Sequence, residues 1–351
     1  MRPNKGLLLV ALILIQVLSL VTIWSTVPSL FLSQLAFVIA GIILIYLFSR
    51  SDITLLFNLS SILYIVSIVL LLITLIVGRN IRGSVRWIDL GLFSLQTSEI
   101  VKPLLAIFYS SYLSRFKKIS WPQFFIFLGL ALLPVVLIAI QPDLGSALTL
   151  TFLPLALLTF SGQFKKIFLL GALFLAVVIP LESKLLKPYQ RQRLETFINP
   201  YTDPKGAGYN VIQATIAVGS GGVLGKGVKL GTQSHLNFLP ERHTDFIFAS
   251  FVEEFGLIGA IVLFISYYAI FHYSLLGVRN LKDNAEATLC LAIFFLFLFQ
   301  SIVNIGMNLG IMPVTGITLP LFSYGGSSLL SFSILIGLLF RQLDLIAPFR
   351  I

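Results

Sequence analysis

Charged residues are scarce in this sequence. They make up 11% of the 351 residues, and hydrophobic residues make up 57%. Soluble domains carry about 25% charged residues, so this composition excludes an ordinary soluble domain. Many apolar runs reach about 18 residues, the length that crosses a bilayer as a helix. The sequence therefore predicts a polytopic, all-α membrane protein.

Cysteine is almost absent as well. The single Cys290 lies within the apolar run LCLAIFFLFLF. One cysteine cannot build a disulfide within the chain, and thiol catalysis is not expected from a side chain in apolar surroundings. The net charge of +10 does not indicate a nucleic-acid partner, because the basic residues are scattered among the connections between apolar runs.

Ten apolar runs account for the pattern, and we predict a single membrane domain over residues 1–351 with about ten transmembrane helices. Their limits are 7–24, 30–48, 59–77, 99–114, 124–140, 145–160, 165–182, 246–272, 286–309 and 327–346. The first run resembles a signal peptide, but no small-residue cleavage site follows it, so a retained helix is expected. One long connection, 183–244, separates the seventh and eighth spans.

Lysine and arginine are unevenly distributed among the short connections. One set contains Arg50, Arg115, Lys117, Lys118, Lys165, Lys166, Arg279 and Lys282. The opposite set, around 25–29, 141–144 and 310–326, contains neither residue type. Because basic short loops stay in the cytoplasm, both termini are predicted to be cytoplasmic and 183–244 to be extracellular. The connection 78–98 is an exception with three arginines, which calls for a reason other than topology.

Two stretches of the long connection carry structural signals. VIQATIAVG is apolar but short for a span, which favours a half-inserted or surface helix. GSGGVLGKG contains five glycines in nine residues. Backbone amides of such a segment, beside a lysine, could hold phosphate, or the glycines could serve turns that need a positive φ. The sequence leaves these two interpretations open.

A pair of opposite charges stands at the start of the fourth span. In SEIVKP, Glu99 and Lys102 are three residues apart, so they share a helix face. They form either a buried salt bridge that fixes helix packing or an intramembrane charge pair that lines a cavity. Pro103 is expected to unwind this helix locally.

Three other motifs lie on the predicted extracellular side. In QPDLGSA, Asp143 is placed to cap the next helix. In GSVRWIDLG, Arg86 could bind an anion, because a guanidinium group matches phosphate oxygens. MPVTGITLPLFSYGGSS has no charge but many hydroxyl groups, including that of Ser323, which suit either a sugar or a rigid turn. Together these residues indicate an outward-facing site for an anionic amphiphile, with the reaction undefined.

Longer motifs carry a resemblance to a known family. GSVRWIDLG, QPDLGSA, YQRQRLETFINPYTDPKGAGYNVIQATIAVGSGGVLGKG, GTQSHLNFLPERHTDFIFAS and LPLFSYGGSS resemble the SEDS family (RodA/FtsW/SpoVE), in matching order over essentially the whole chain. The form GTQSHLNFLPERHTDF is more similar to the elongation branch than to the division branch, in which alanine usually occupies the Arg242 position. The resemblance implies a ten-span fold and a peptidoglycan glycosyltransferase that polymerises lipid II for cell elongation and shape. It also implies a class B penicillin-binding protein and other elongation-machinery membrane proteins as partners.

The resemblance also implies roles for particular residues. In that family the acid matching Asp245 is essential, and the residues matching Glu99 and Lys102 are functional. The expected reaction joins a sugar hydroxyl of one lipid II to the anomeric carbon of a growing chain and releases undecaprenyl pyrophosphate. A positioned base accelerates such an attack by about 10²–10⁴-fold, and Asp245 is the candidate. The candidate cations for the pyrophosphate are Lys102, Arg86, Arg191, Arg193 and Arg242.

Other interpretations of the same residues remain open. Asp245 is also a candidate ligand for a divalent cation, Mg²⁺ or Mn²⁺, and no other cofactor is expected. His243 is expected to make a hydrogen bond at the helix entry, and Thr244 to cap the helix. A lipid II flippase or transporter would use intramembrane charges too, and a scaffold for a partner synthase would need no catalysis. In each case the expected location is the bacterial cytoplasmic membrane.

Overall fold

The computed structural model describes residues 5–81, 84–89, 91, 94–169, 171, 199–203, 206 and 208–346. Its helices are α1 (Lys5–Thr26), α2 (Phe31–Ser49), α3 (Ile53–Asn58), α4 (Ser60–Val77), α5 (Thr97–Ser114), α6 (Trp121–Ile140), α7 (Leu144–Leu158), α8 (Tyr209–Gly221), α9 (Thr232–His235), α10 (Ile247–Asn280), α11 (Asn284–Asn308) and α12 (Gly326–Ile346).

Nine of the ten predicted spans coincide with long helices. They are α1, α2, α4, α5, α6, α7, α10, α11 and α12. A π turn at Thr159–Gln163, in which Gly162 has a φ of +78°, follows α7, and helical structure continues to Leu169. The predicted span 165–182 lies largely outside the described residues. The prediction of an all-helical polytopic fold is confirmed.

The helices form a bundle with two ends. The terminal face carries Lys5 and Ile346, and an ion pair between Lys5 and Asp344 joins α1 to α12 there. The opposite face carries Thr26 and Gly326. Helices α5, α10, α11 and α12 pack together at the centre, whereas α2 packs mainly on α12. Because only 17% of the apolar window of α2 is buried, against 72% for α11, α2 presents most of its surface to lipid.

A three-stranded antiparallel sheet occupies the connection 78–98. Its strands, in spatial order, are β1 (Arg79–Ile81), β2 (Ser84–Asp89) and β3 (Ser94–Gln96). Trp87 lies opposite Gln96, and the Arg79 guanidinium is 2.7 Å from the Asp89 carboxylate. The sequence analysis predicted no strand, because three short strands offer too few residues for a clear alternation of apolar and polar positions. Part of the arginine excess in this connection therefore stabilises the sheet.

Prolines lie inside α5, α6 and α7. In α5 and α6, a side chain of a neighbouring helix donates to the carbonyl that the proline leaves without its usual donor. Pro103 has no N–H for the carbonyl of Glu99, and Ser331 Oγ donates to that oxygen at 2.8 Å. Pro134 likewise frees the carbonyl four residues before it, which accepts from Tyr64 Oη at 3.0 Å. The prediction that Pro103 unwinds its helix is wrong, because α5 remains helical with this replacement donor.

Helix α10 is broken at Gly256, where φ is +65° and ψ is −163°. The amides of Leu257 and Ile258 leave the helix and donate to the carbonyls of Gly222 and Val223, at 3.0 and 3.2 Å. A broken helix is tolerated at membrane depth where surrounding protein satisfies its freed backbone groups. The glycine-rich segment after α8 satisfies them in this molecule.

The same segment, GSGGVLGKG, satisfies the other side of the break. The amides of Lys226 and Gly227 donate to the carbonyls of Glu253 and Glu254, both at 3.0 Å. A Cβ atom on Gly225 would lie 2.1 Å from the Glu254 carbonyl oxygen, so only glycine allows this approach. The interpretation of the glycines as turn residues is confirmed. The phosphate-binding interpretation is wrong for these amides, because α10 uses them.

Candidate active site

A cavity of about 450 Å³ opens on the face opposite the termini. The sheet, the turn before α10 and the segment leading into α12 form its walls. Its polar lining includes Arg86, Gln96, Glu241, Thr244, Asp245, Thr318, Tyr324, Ser327 and Ser328. The structure thus brings the candidate base, Asp245, and one candidate cation, Arg86, to the same cavity.

Main-chain hydrogen bonds fix the turn that carries Asp245. The carbonyl of His243 accepts from the Tyr324 amide at 2.9 Å, and the carbonyl of Thr244 accepts from Ser323 Oγ at 2.7 Å. The carbonyl of Asp245 accepts from two asparagine side chains of α11, at 3.0 and 2.9 Å. We call these three bonded carbonyls the carbonyl clamp. They place the Asp245 carboxyl group at the cavity wall without using its side-chain oxygens.

Asn304 and Asn308 form the α11 side of the carbonyl clamp. They are four residues apart, so both amides project from one face of the helix. Asn304 Nδ2 also donates to the Ile317 carbonyl at 2.7 Å, and Asn308 Nδ2 donates to the Asn304 carbonyl at 2.8 Å. One pair of side chains therefore connects the turn before α10 with the segment before α12.

The predicted helix cap at Thr244 is wrong. Helix α10 begins at Ile247, and no side chain of the preceding residue caps it. Asn308 Oδ1 instead accepts from the Ala249 amide at 2.9 Å, so the cap comes from another helix. The Thr244 hydroxyl lies 3.3 Å from the Glu241 carbonyl, to which it donates.

His243 makes its hydrogen bond at the helix entry through its carbonyl, whereas its ring faces that of Tyr324 with 5.7 Å between centroids. Burial lowers the pKa of the imidazole, and it is the largest effect on that group. The Glu241 carboxylate raises the pKa by less, and the Arg242 guanidinium lowers it further. A pKa below the ordinary value keeps this ring neutral at neutral pH. His243 therefore does not add a cation to the cavity.

The buried Asp143 carboxylate forms an ion pair with Arg86. The Arg86 guanidinium is 3.7 Å from Asp143 Oδ1, and the Asp143 side chain is 3% exposed. Its Oδ2 accepts from Gln96 Nε2 and Ser98 Oγ, both at 2.9 Å. The predicted cap is confirmed, because Oδ1 accepts from the Ser146 amide at 3.2 Å. Asp143 thus joins the start of α7 to a cationic wall of the cavity.

The hydroxyl groups of the segment MPVTGITLPLFSYGGSS, which leads into α12, differ in their positions. Those at the cavity are Thr318, Tyr324, Ser327 and Ser328. Ser323, a candidate from the sequence, is buried, donates to the carbonyl clamp and accepts from the Leu319 amide at 2.8 Å. Ser323 therefore holds the cavity wall in place, and its role in binding substrate stays a prediction.

Glu99 and Lys102 pair in the first two turns of α5. Lys102 Nζ is 2.5 Å from Glu99 Oε1, and the side chains are 1% and 6% exposed respectively. Among the described residues, Glu99 Oε2 is buried without a hydrogen-bond partner, and neither side chain lines the cavity. This geometry favours the buried salt bridge, and a direct part in the reaction stays a prediction.

Arg242 points toward α1. Its Nε donates to the Thr26 carbonyl at 3.3 Å, and its Nη1 donates to Asn237 Oδ1. Arg242 is not among the described residues that line the cavity, so the geometry does not favour it as a pyrophosphate ligand. Arg191 and Arg193 lie outside the described residues, and their predicted roles are untested.

Some residues of the site escaped the sequence analysis. Asn304 and Asn308 were missed, although two amides four residues apart in an apolar run are a detectable sign of a polar helix contact. Glu241 and Gln96 also line the cavity. Neither was a candidate from the sequence, because polar residues are ordinary in the connections between spans.

Comparisons with known proteins agree with this architecture. The family model FTSW_RODA_SPOVE, described as a cell cycle protein, matches residues 5–344. Peptidoglycan glycosyltransferase MrdB of Escherichia coli K12 is 40% identical over 270 residues, which cover 76% of this chain and 73% of that protein. Probable peptidoglycan glycosyltransferase FtsW of Coxiella burnetii is 37% identical over 319 residues, with coverages of 89% and 85%.

Two solved structures share the fold. A chain from a peptidoglycan synthase complex, described for its structural coordination of polymerization and crosslinking, matches with a TM-score of 0.84 and 32% identity, covering 97% of this chain and 98% of that chain. The rod shape determining protein RodA of Thermus thermophilus matches with a TM-score of 0.73 and 27% identity, covering 97% of each chain.

The bundle and its cavity define a polytopic membrane protein with a carboxylate and a guanidinium group held at one membrane face. The chain belongs to the FTSW_RODA_SPOVE family, the SEDS family that the sequence motifs predicted.

Proposed function

We propose that this chain polymerises lipid II into glycan strands at the outer face of the cytoplasmic membrane, with Asp245 as the general base. The enzyme class is that of its relatives: the chain is a peptidoglycan glycosyltransferase of the RodA/MrdB type. The proposal rests on one observation: Asp245 and Arg86 line the same cavity. Asn308 bonds the backbone of Asp245, and Asp143 pairs with the Arg86 guanidinium.

Asp245 is suited to accept a proton. A sugar hydroxyl is a poor nucleophile, and a positioned carboxylate removes its proton as the new bond forms. The carbonyl clamp fixes the backbone of Asp245, and Gly316 leaves space beside the carboxylate, since a Cβ atom there would lie 3.6 Å from Oδ2. A hydroxyl of lipid II can therefore approach the base from the cavity.

Arg86 is suited to the leaving group. The reaction breaks the bond between the anomeric carbon and the pyrophosphate oxygen, and negative charge accumulates on that oxygen. A guanidinium group stabilises the charge through paired hydrogen bonds to phosphate oxygens. Asp143 keeps the group oriented, as a ligand-facing cation requires. The hydroxyls of Thr318, Ser327 and Ser328 supply neutral contacts for the sugars.

A divalent cation is compatible with this cavity. Asp245 and Glu241 both line it, and Mg²⁺ commonly binds one or two carboxylates together with substrate phosphate and water. Within the described residues no group of three or more histidine, cysteine or acidic side chains could hold an ion. Mg²⁺ or Mn²⁺ would thus bind with the substrate through Asp245 and would neutralise charge on the pyrophosphate.

Location and partners follow from the same proposal. The protein is a multi-pass protein of the bacterial cell membrane. We assign the terminal face to the cytoplasm, because its short connections carry the lysines and arginines. A crosslinking partner is supported by the related chain in a peptidoglycan synthase complex, and a class B penicillin-binding protein would supply that activity. A role in elongation is supported by the match to RodA.

The proposal is tested with purified protein and labelled lipid II, in the absence of any other polymerase. Glycan chains on a gel are expected. The same protein in liposomes, with lipid II on one leaflet, measures flipping. Flipping without chains would replace the enzyme with a transporter, and neither activity would favour a scaffold.

A further inference from the structure

A second cavity, of about 680 Å³, lies at the terminal face between α1, α2 and α12. Leu9, Ile42, Tyr46 and Phe340 contribute apolar walls to it. The side chains of Ile42 and Tyr46 are 59% and 61% exposed on the surface that α2 presents to lipid. The cavity therefore opens beside acyl chains as well as toward the membrane surface, far from the candidate active site.

Cations dominate the polar part of this cavity. Lys5, Arg50, Arg341 and Asp344 line it. Lys5 pairs with Asp344, which leaves two arginines in excess. The Arg50 guanidinium lies 5.8 Å from the Tyr46 ring centroid, at the end of α2. The cavity thus combines net positive charge with an apolar wall.

Arg341 has unused hydrogen-bonding capacity. Its Nε atom is buried and has no hydrogen-bond partner among the described residues. Glu286 on α11 is close enough for its charge to interact with that of Arg341, but the pair makes no salt bridge within 4.0 Å in the described part of the chain. A buried donor without an acceptor is costly. Because Arg341 lines the cavity, an anionic ligand there would supply acceptors for its guanidinium group.

We propose that this cavity binds the headgroup of an anionic phospholipid from the adjoining leaflet. Arg50 and Arg341 contact the phosphate, and an acyl chain lies against Ile42 and Tyr46. Guanidinium groups suit phosphate oxygens, and basic pockets between helices near the membrane surface suit acidic headgroups. A soluble anion would leave the apolar wall unused, so a lipid fits the cavity better. This inference goes beyond the proposed polymerase activity and does not depend on it.

Native mass spectrometry of the purified protein tests the proposal by counting bound phosphatidylglycerol against phosphatidylcholine. The wild type should retain phosphatidylglycerol selectively. The double variant Arg50→Gln/Arg341→Gln should bind it about tenfold more weakly or worse. The matched control, Lys118→Gln/Arg279→Gln, removes two exposed charges of the same face outside the cavity and should bind as the wild type does.

Two further variants keep the test decisive if the double variant misfolds. Arg50→Lys/Arg341→Lys keeps the charges and should retain selective binding, whereas Ile42→Trp should weaken it by obstructing the apolar wall. Equal binding of the two lipids would overturn the proposal. So would an equal loss in the Lys118/Arg279 control, which would indicate general surface charge, or full competition by soluble glycerol phosphate, which would indicate an ion site.

Discussion

At the residue scale, the backbone of Asp245 is held by hydrogen bonds, whereas its carboxyl group is the proposed base. The carbonyl clamp bonds only main-chain oxygens of His243, Thr244 and Asp245. The side chain of Asp245 can therefore change its chemistry while those bonds remain. A substitution of the carboxyl group therefore leaves the bonds of the carbonyl clamp in place.

Asp245→Asn is expected to reduce polymerisation of lipid II by about 100-fold or more, because the amide keeps the size but cannot accept the proton. The measurement is the rate of chain formation by purified protein. Its thermal stability should stay near the wild-type value. Asp89→Asn, which alters an acid paired with Arg79 in the sheet, serves as the control and should retain most activity. Product ladders of normal length from Asp245→Asn would remove the residue from the mechanism.

Glu99 and Lys102 should behave as a coupled pair. Lys102→Met leaves a buried carboxylate alone, and Glu99→Gln leaves a buried ammonium alone, so each should cost about 3–5 kcal/mol in the free energy of unfolding. The double variant should lose less than the sum. Thermal unfolding measures stability, and polymerisation per folded molecule measures function. Additive losses would contradict the coupling, and normal activity of the folded fraction would assign the pair to packing alone.

At the element scale, helices in this bundle depend on donors from their neighbours. Helix α5 continues through Pro103 because Ser331 on α12 bonds the carbonyl of Glu99. Helix α10 continues past Gly256 because the glycine-rich segment bonds both sides of its break. Helix α5 therefore depends on α12, and α10 depends on the glycine-rich segment. A substitution in one member of such a pair is expected to destabilise the backbone of the other.

Ser331→Ala should destabilise the protein by about 1–3 kcal/mol, because the buried Glu99 carbonyl loses its hydrogen-bond donor. The test is a double-mutant cycle with Pro103→Ala, which restores an N–H to the helix. In the Pro103→Ala background, Ser331→Ala should cost much less. An equal cost in both backgrounds would show that the hydroxyl contributes through another contact.

Two glycines of α8 form a matched pair for the contact with α10. A Cβ atom on Gly221 would lie 2.1 Å from the Val252 carbonyl oxygen, whereas one on Gly219 would meet nothing within 4 Å. Gly219→Ala should therefore stabilise the helix by up to about 1 kcal/mol. Gly221→Ala should lower the melting temperature, because the backbones must separate. Similar melting temperatures for the two variants would contradict the close approach.

At the scale of the whole molecule, basic short connections predict that the terminal face lies in the cytoplasm. On a Cys290→Ala background, single cysteines at Tyr201 and Lys117 report the two sides. Tyr201 is 73% exposed in the connection before α8, and Lys117 follows α5 at the terminal face. A membrane-impermeant thiol reagent on intact cells should label position 201 alone. Labelling at 117 but not at 201 would reverse the orientation.

The sequence predicted the spans well because twenty consecutive apolar residues have few alternatives to a helix in lipid. It placed Asp245, Arg86 and Asp143 correctly near one face, since all three stand at span ends. The sheet, the break at Gly256 and the asparagine contacts of the carbonyl clamp escaped it. The break at Gly256 and the asparagine contacts depend on pairing between segments far apart in the chain, which local patterns do not encode. The three strands are neighbours in the sequence, but they are too short to show a clear alternation of apolar and polar positions.

The carbonyl clamp also makes position 244 a place for a reporter. At this position the clamp bonds only the main-chain carbonyl, so it does not depend on which side chain is present. The side chain of Thr244 lines the cavity next to Asp245. A photo-crosslinking amino acid inserted there would sit beside the bound sugars while the neighbouring acid keeps its anchorage. Irradiation during chain growth would then crosslink the sugar residue that lies next to position 244. The place of that sugar in the glycan would show the direction in which the growing chain moves through the cavity.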